Sequence, residues 1–334
     1  MKQVIIKRLY LLIIVLLGVT FITFTMSHVI PGDPARMLVG QRASEETLQR
    51  VRENLGLDKP VWVQYLIYMK GLLRGDMGIS IRTQQPVISD LIAFFPATFE
   101  LAIFAFLIAL GIGIPLGVLA SIKQNTWVDH VSRIFSIGGV SIPVFWSGIV
   151  CILIFYSKLN WLPASGRLSI GLDISTRITG LYTIDSLLTG NFKVFADTIR
   201  HLILPATVLS YAQLATITRQ VRSSMLEVLN QEYIRTARAN GIAEWYLIIF
   251  YGLRNALIPT VTVVGLSFGA LLGGAVVTET VFAWPGMGKY VVDSISFLDF
   301  PAIMGFTLIV VVGYMLINLM VDLLYMALDP QIRE

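Results

Sequence analysis

The stretch EYIRTARANGIAEWYLIIFYGLRNALIP, Glu232–Pro259, is a polar segment of helical composition that lies between two apolar runs. Its first part, Tyr233–Asn240, favours a short helix, and Gly241 suits the left-handed conformation that ends a helix. Residues 243–250 then predict a second helical stretch. Because connections between helices are usually short, an ordered and charged segment of this kind indicates a docking surface for another protein.

The composition of the whole chain is that of a membrane protein. Of its 334 residues, 55% are apolar and only 14% are charged, and the mean hydropathy is +0.75. Soluble domains are roughly 45–50% apolar and about 25% charged. The net charge of +4 is spread over the loops, which favours an explanation by membrane topology and argues against a nucleic-acid partner. The single cysteine, Cys151, lies in an apolar run, so we expect no disulfide framework and no thiolate metal site.

The apolar runs predict an all-α polytopic membrane protein with six transmembrane helices. Each run is close to the ~20 residues that a helix needs to cross a hydrocarbon layer of ~30 Å. The first run is longer than the core of a signal peptide and no cleavage site follows it, so we expect a retained helix. The predicted spans are Leu9–Val29, Thr98–Ser121, Ile134–Tyr156, His201–Thr218, Leu257–Ala283 and Pro301–Leu328.

The loop charges predict that both termini are cytoplasmic. The loops that would then face the cytoplasm have the higher density of Lys and Arg and the larger net positive charge. The expected organisation is an N-terminal helix in residues 1–30, a helical extracytoplasmic loop in 31–95, a core of five helices in 96–328 and a cytoplasmic tail in 329–334. The core contains the cytoplasmic segment 219–256.

The first extracytoplasmic loop predicts two helices. Ser44 can cap the first helix, Glu45 and Glu46 suit its first turn, and Gly56 can end it. Pro60 suits the start of the second helix. The apolar stripe of this second helix comprises Trp62, Tyr65, Leu66, Met69, Leu72 and Leu73. The two helices either cover the outer ends of the bundle or form a platform for an extracytoplasmic partner, and periodicity alone leaves both interpretations open.

Signals for enzymatic chemistry are weak in this chain. Residues 283–290 resemble the end of a phosphate-binding loop, but Ala283 replaces the first glycine and Tyr290 replaces the Ser or Thr. The three histidines are far apart and lack metal-ligand spacing, and no hydrolase motif is present. We therefore expect no catalytic residue, no cofactor and no metal site on this chain.

Two acids and a glycine series stand out within the predicted spans. Glu279 and Asp322 lie near span ends, where water or a loop arginine could satisfy their charge, so a structural role is favoured over substrate contact. Gly265, Gly269 and Gly273 recur every four residues and share one helix face. This face favours close helix packing, with a lining of the transport pathway as the alternative.

The charged segment resembles the cytoplasmic loop of the transmembrane subunits of ATP-binding-cassette importers. Arg235-Thr236-Ala237 with Gly241 is similar to the family's Glu-Ala-Ala, three residues, Gly pattern, although Arg and Thr replace Glu and Ala, and Arg254 replaces a proline. The dipeptide, oligopeptide and nickel branch is also indicated by HVIPGDPA (28–35), ETVFAWPGMGKYVVDSI (279–295) and NLMVDLLYMALDPQIR (318–333). The resemblance covers nearly the whole chain and is greatest to the first of two permease subunits.

This resemblance implies the transmembrane domain of a type I importer in the bacterial or archaeal inner membrane. It implies a second related permease, an extracytoplasmic solute-binding protein, surrounding lipid, and two ATPase subunits that hold ATP and Mg²⁺. In this interpretation residues 232–250 form the coupling helix that docks on an ATPase. The coupling residues implied are Glu232, Tyr233, Arg235, Thr236, Ala237, Arg238, Gly241, Glu244 and Arg254.

Alternatives remain at the level of function and substrate. An intramembrane enzyme lacks a nucleophile and base in this sequence, and a membrane scaffold or signalling protein could use the same cytoplasmic loop for a partner that is not an ATPase. The expected substrate is a dipeptide or short oligopeptide, with a nickel or other metal chelate, or glutathione, as the alternative. The sequence assigns no residue to substrate contact.

Overall fold

The computed structural model describes residues 2–29, 36, 44–55, 58–174 and 176–328. These residues are almost entirely helical, and an isolated antiparallel bridge joins Ile79 to Pro86. The all-α prediction is therefore confirmed. Most of the HVIPGDPA motif, the predicted helix end at Gly56 and the predicted tail at 329–334 lie outside the described residues.

The helices follow one another with few long interruptions, and we number them along the chain. They are α1 (Lys2–Val29), α2 (Glu45–Leu55), α3 (Val61–Leu72), α4 (Val87–Ile122), α5 (Trp127–Ser141), α6 (Val144–Cys151), α7 (Tyr182–Leu188), α8 (Phe192–Leu229), α9 (Glu232–Ala239), α10 (Glu244–Tyr246), α11 (Arg254–Val281), α12 (Met287–Ser296) and α13 (Phe300–Leu328). Two π-helical segments, Ile152–Lys158 and Leu247–Leu253, extend α6 and join α10 to α11.

Several helices are long and apolar enough to cross a membrane. Within the described ranges, four meet this criterion: Arg8–Val29, Val87–Ile122, Glu244–Val281 and Phe300–Leu324. A fifth candidate is α5 with α6 and its π-helical extension, a pair bent by 107°. The predicted span His201–Thr218 is helical but lies inside the longer α8, which does not meet the criterion. Length and composition thus support a polytopic protein with four or five spans, whereas six were predicted.

The predicted third span is not one straight helix. Ile142 is extended (φ −85°, ψ 124°), and Pro143 has ψ 134°, so the chain turns before α6 begins at Val144. The cause is local: the proline ring disfavours the α conformation of the residue before it and removes a backbone donor. The prediction of an uninterrupted span Ile134–Tyr156 is wrong on this point.

The centre of the bundle is the contact between α4 and α8. Contacts advance together along the two helices, with Gly113 against Leu214 and Gly117 against Val221, so the helices run parallel. A Cβ at Gly117 would come within 2.7 Å of the Val221 Cβ, which shows how closely the backbones approach. Because α4 begins at Val87, the predicted domain boundary between residues 95 and 96 falls inside a helix.

The segment between α6 and α8 is fastened to the bundle by a buried ion pair. The carboxylate of Glu100 on α4 accepts hydrogen bonds from Arg167 Nη2 (2.5 Å) and from the backbone N–H of Thr183 (2.8 Å). The Arg167 guanidinium also lies 3.6 Å from the centre of the Tyr182 ring. Sequence reasoning singled out two acids and missed Glu100, because its partners are far away along the chain.

The short helix α7 also contains an acid, Asp185. Its carboxylate accepts backbone N–H groups of Thr179 (2.8 Å) and Gly180 (2.9 Å). Burial raises the pKa of Asp185, but these hydrogen bonds and one from the Thr179 hydroxyl outweigh burial, and the pKa lies below its ordinary value. The outer segment is thus held by polar contacts as well as by apolar packing.

The first outer loop contains both predicted helices. The cap at Ser44 is present, because Ser44 Oγ accepts the backbone N–H of Thr47 at 3.2 Å. Pro60 precedes α3 as expected. The predicted stripe of α3 is only partly covered, since Tyr65 packs on α1 whereas Trp62 and Leu66 remain exposed.

Candidate functional site

The charged segment forms a short amphipathic helix at the end of α8. Helix α9 buries Ile234 completely and Ala237 almost completely, while Glu232, Arg235 and Thr236 stay on its exposed side. Arg235 Nη1 donates to Glu232 Oε1 at 2.8 Å, one turn away. The buried side chains of Ile234 and Ala237 therefore attach the helix to the bundle, and its charged side faces outward.

Gly241 reverses the chain after α9. Its φ is +78°, in the left-handed region, and its N–H donates to the carbonyl of Arg238 at 3.1 Å. Ile242 N–H donates to Ala237 O at 3.3 Å. Apart from its chain neighbours, no described residue has an atom within 4 Å of the position that a Cβ would take at Gly241, so the requirement for glycine is conformational and not steric.

A bidentate ion pair spans this turn. Arg238 Nε and Nη2 donate to the two carboxylate oxygens of Glu244 at 3.0 Å and 2.7 Å. The hydrogen bonds that Arg238 donates to the Glu244 carboxylate raise the pKa of Arg238 above its ordinary value. Because both side chains are about half exposed, the pair adds little to overall stability, but its forked geometry fixes the angle between α9 and α10.

Aromatic side chains surround the second part of the segment. Trp245, Tyr246 and Phe250 are exposed, and the rings of Tyr246 and Phe250 stack with centroids 4.5 Å apart. The Tyr233 hydroxyl accepts a hydrogen bond from Asn255 Nδ2 at 3.2 Å, which joins α9 to the first turn of α11. The segment therefore exposes a surface that is both charged and aromatic.

The second helical stretch does not stop at Phe250 as expected. It continues through the π-helical segment into α11, so that residues 244–281 form one continuous helical run. Gly252 in the π-helical segment lies against Met225 and Leu229 of α8. The charged segment is thus continuous with a helix that is long and apolar enough to cross a membrane.

Arg254 is placed differently from the other predicted coupling residues. It is exposed in the first turn of α11 and makes no hydrogen bond or ion pair with the described residues. The contacts of the turn involve Arg238, Gly241 and Glu244 instead. The structure thus brings together the predicted coupling residues of α9 and α10, and Arg254 takes no part in their contacts.

An ion-pair cluster near this end of the bundle escaped sequence analysis. Asp129 at the start of α5 is fully buried and accepts from Arg222 Nε (2.6 Å) and Nη2 (2.8 Å) on α8. Arg133 Nη2 (3.1 Å) and the backbone N–H of Asn125 (3.0 Å) also donate hydrogen bonds to the Asp129 carboxylate. The i,i+4 spacing of Asp129 and Arg133 is visible in the sequence, but Arg222 is distant along the chain and only the fold supplies it.

The glycine series on α11 packs unevenly. A Cβ at Gly265 would overlap the Val321 side chain, and a Cβ at Gly269 would lie 2.7 Å from the Tyr314 ring, so both glycines allow α13 to approach. Gly273 is exposed and has no described atom within 4 Å of its Cβ position. The expected close packing therefore applies to two of the three glycines within this chain.

Of the two predicted membrane acids, Asp322 has an arginine partner as expected, whereas Glu279 is held by other groups. Glu279 is fully buried and accepts hydrogen bonds from Thr98 Oγ1 (2.6 Å) and from the backbone N–H of Lys289 (2.9 Å). A hydroxyl and a backbone amide thus take the place of water or a loop arginine. Asp322 does pair with an arginine, but this is Arg8 of helix α1, with its Nε 2.5 Å from the carboxylate.

Comparison with known proteins gives matches along nearly the whole chain. Residues 113–334 match the family described as "Binding-protein-dependent transport system inner membrane component". Residues 1–102 match the family described as "Binding-prot-dependent transport system membrane comp, N-term".

Several curated proteins are similar to this chain over nearly their whole length. The probable D,D-dipeptide transport system permease protein DdpB of Escherichia coli (strain K12) is 54% identical over 326 residues, which cover 98% of this chain and 96% of the relative. The dipeptide transport system permease protein DppB of the same strain is 44% identical, with 100% and 99% covered. The glutathione transport system permease protein GsiC of E. coli O6:H1 is 37% identical, also with 100% and 99% covered.

Proposed function

Since the chain belongs to the family of binding-protein-dependent transport system inner membrane components, we propose that it forms half of the pathway by which an ATP-driven importer takes up dipeptides. Members of this family are transport permeases and not enzymes, and they work with ATPase and solute-binding partners in the inner membrane. The dipeptide assignment is supported by the names of the similar permeases from E. coli. Glutathione is the second candidate, because a more distant relative carries that name.

The assembly we propose contains a second, related permease and two ATPase subunits. The other half of the pathway comes from the second permease, and both termini of this chain are cytoplasmic. The Arg8–Asp322 ion pair supports this orientation, because it joins the first part of α1 to the last part of α13 at one end of the bundle. The basic character of the loops at that end agrees with the orientation.

One observation carries the coupling role that we propose for residues 232–250. The exposed helix α9 and helix α10 are held at a fixed angle by Gly241 and by the Arg238–Glu244 pair, and α10 continues into a membrane span. When ATP binding draws two ATPases together, a rigid element docked on one of them moves with it. The span attached to that element then shifts, and the pathway changes its opening from inside to outside.

Substitution of Gly241 tests this role. We expect Gly241→Val to lower retention of the ATPase subunits and substrate uptake at least several-fold, because a β-branched residue rarely adopts positive φ. Gly241→Asn should keep both, since asparagine tolerates this conformation. The measurements are co-purification of the ATPases with the tagged chain and uptake in cells.

The matched control is Gly171→Val in the outer segment. Gly171 also has a positive φ (+89°) and open space at its Cβ position, so the local strain is similar. This variant should retain the ATPases as the native chain does. If Gly241→Val also retains them with normal uptake, the proposed coupling role is wrong.

A further inference from the structure

Helix α3, in the first outer loop, has an apolar face that the residues described by the structure leave uncovered. Its outward positions lie on one side of the helix at spacings of four and seven residues. Trp62 is 68% exposed, Leu66 is 58% exposed and Leu73, just after the helix, is 85% exposed. Exposed large apolar side chains in contiguous positions indicate a surface that contacts something other than water.

The opposite face of α3 packs on the membrane span α1. The Tyr65 hydroxyl lies 3.0 Å from Thr20 Oγ1, and the Tyr68 ring stacks on Phe24 with centroids 5.8 Å apart. Gln64 Oε1 lies 3.0 Å from His28 Nε2, near the end of α1. Burial raises the pKa of Tyr68 to about 12, as expected for a phenol removed from water.

These contacts fix the position of α3 relative to the span. Thr20, Phe24 and His28 all lie in the second half of candidate span Arg8–Val29, so α3 packs beside residues of the span itself. Amphipathic helices that lie in a membrane interface are buried by about 5–10 Å. The position of α3 beside the apolar residues of a span is the one that such an interfacial helix would take.

The surroundings of α3 favour lipid as the occupant of its exposed face. Ile22 and Met26 of α1 are 58% and 56% exposed, so the candidate membrane span on which α3 packs has exposed apolar side chains of its own. Helix α3 contains no acid, and its single charge, Lys70, is at the exposed side, where its amine can reach headgroup phosphates. Trp62 is of the type enriched at membrane interfaces.

We propose that α3 is an interfacial helix whose face, formed by Trp62, Leu66 and Leu73, is inserted in the outer leaflet and contacts lipid directly. The first outer loop is then divided in function. Helix α3 anchors the loop to the membrane beside α1, while α2, with its exposed charges, remains in water.

The single cysteine of the chain makes a depth measurement practicable. In a Cys151→Ser background, single cysteines replace Leu66, Trp62, Ile22 or Glu53, and each carries a nitroxide spin label. The full chain, with its partner subunits, is placed in nanodiscs of phosphatidylethanolamine and phosphatidylglycerol. Collision rates with oxygen, which partitions into lipid, and with a nickel chelate, which stays in water, are then compared.

Ile22 on α1 is the lipid-facing reference, and Glu53 on α2 is the water-facing reference. We expect labels at Leu66 and Trp62 to behave like Ile22, with high oxygen and low nickel accessibility. Accessibility to nickel like that of Glu53 would overturn the proposal. Low accessibility to both reagents would also overturn it, because a second permease or a solute-binding protein would then cover the face. The readout needs no transport, so it is independent of the proposed substrate and of the coupling role.

Discussion

Individual residues in this protein show how a membrane chain accommodates charge. Glu279 is fully buried, yet its carboxylate accepts hydrogen bonds from a hydroxyl and a backbone N–H. The carboxylate of Glu100 accepts hydrogen bonds from Arg167 and Thr183. Buried polar groups are costly only when they lack partners. These acids therefore hold the outer connections against the bundle, and this supports the structural role predicted for Glu279.

Replacement of Glu279 by glutamine tests its role as an anchor. The glutamine side chain has nearly the shape of the glutamate side chain, but one acceptor oxygen is replaced by an NH2 donor. This donor would face the Thr98 hydroxyl or the Lys289 N–H, which are themselves donors. We expect the complex to lose about 1–3 kcal/mol of stability, because a buried donor is left without a partner. Uptake per assembled complex should fall only mildly, as measured by transport normalised to folded protein.

Thr98→Val is the matched control for Glu279→Gln. It removes the hydroxyl that donates to Glu279 and changes little else in volume, so it should lower the thermal stability of the complex in the same direction. Complete loss of transport in Glu279→Gln with normal assembly and stability would show that the carboxylate acts in transport itself.

At the scale of elements, the ends of the helices on the proposed cytoplasmic side are tied together by specific pairs. Asp129 joins the start of α5 to α8, and Gly252 seats the π-helical segment on the end of α8. Helix α9 follows directly from α8 across Asn230 and Gln231. The same end of α8 therefore contacts α5 and the π-helical segment that leads into α11, and it is followed directly by α9.

The two arginines around Asp129 should contribute unequally. Arg222 donates two short hydrogen bonds and its side chain is 20% exposed, whereas Arg133 donates one and is 43% exposed. We expect Arg222→Gln to cost about 2–3 kcal/mol, since it leaves the buried carboxylate poorly paired. Arg133→Gln should cost less than about 1 kcal/mol, as exposed pairs do.

Thermal unfolding of the two variants in nanodiscs measures this difference, and Arg133→Gln serves as the control for loss of a positive charge near Asp129. Equal destabilisation by both substitutions would contradict the importance that we give to the α5–α8 link. The Arg222→Gln complex could also assemble normally but transport less substrate per ATP hydrolysed. That result would show that the contact between α5 and α8 takes part in coupling as well as in stability.

At the scale of the whole molecule, the surfaces of the chain agree with the proposal that it works beside a second permease. Its central helices α4 and α8 are well packed, but many large apolar side chains on other helices remain exposed, as expected for surfaces that meet lipid or a second permease. The charged coupling segment and the outer loops lie at opposite ends of the helices. This separation suits a subunit that receives substrate at one end and mechanical work at the other.

The substrate is a property of the whole assembly, and its test uses the reconstituted complex of both permeases, the ATPases and the solute-binding protein. We expect dipeptides to stimulate ATP hydrolysis several-fold over the rate without ligand. D-Ala-D-Ala and L-Ala-L-Ala should be compared, because the similar permeases include one named for D,D-dipeptides.

The other ligands in that assay are a longer peptide, glutathione and nickel-histidine. Stimulation by glutathione alone would replace the dipeptide proposal by the second candidate. Stimulation by nickel-histidine alone would favour a metal chelate as cargo. A complex that lacks the solute-binding protein provides the baseline for every ligand.

The sequence by itself determined the class of protein and the position of its most informative segment. Apolar runs separated by charged loops lead to membrane helices because the bilayer sets their length, and this needs no tertiary information. The left-handed conformation of Gly241 and the helix cap at Ser44 could also be predicted from the sequence, because left-handed turns and helix caps depend on local backbone chemistry. The break at Pro143 follows the same local rule and could have been predicted.

Only the tertiary structure decided which distant residues meet. Arg222 reaches Asp129, Arg167 reaches Glu100, and Thr98 reaches Glu279, in each case across a large separation in sequence. It also decided that Gly265 and Gly269 pack on α13 while Gly273 does not, and that α3 packs on α1. The physical reason is that periodicity shows which face of a helix is apolar, whereas the partner of that face depends on how all the helices pack together.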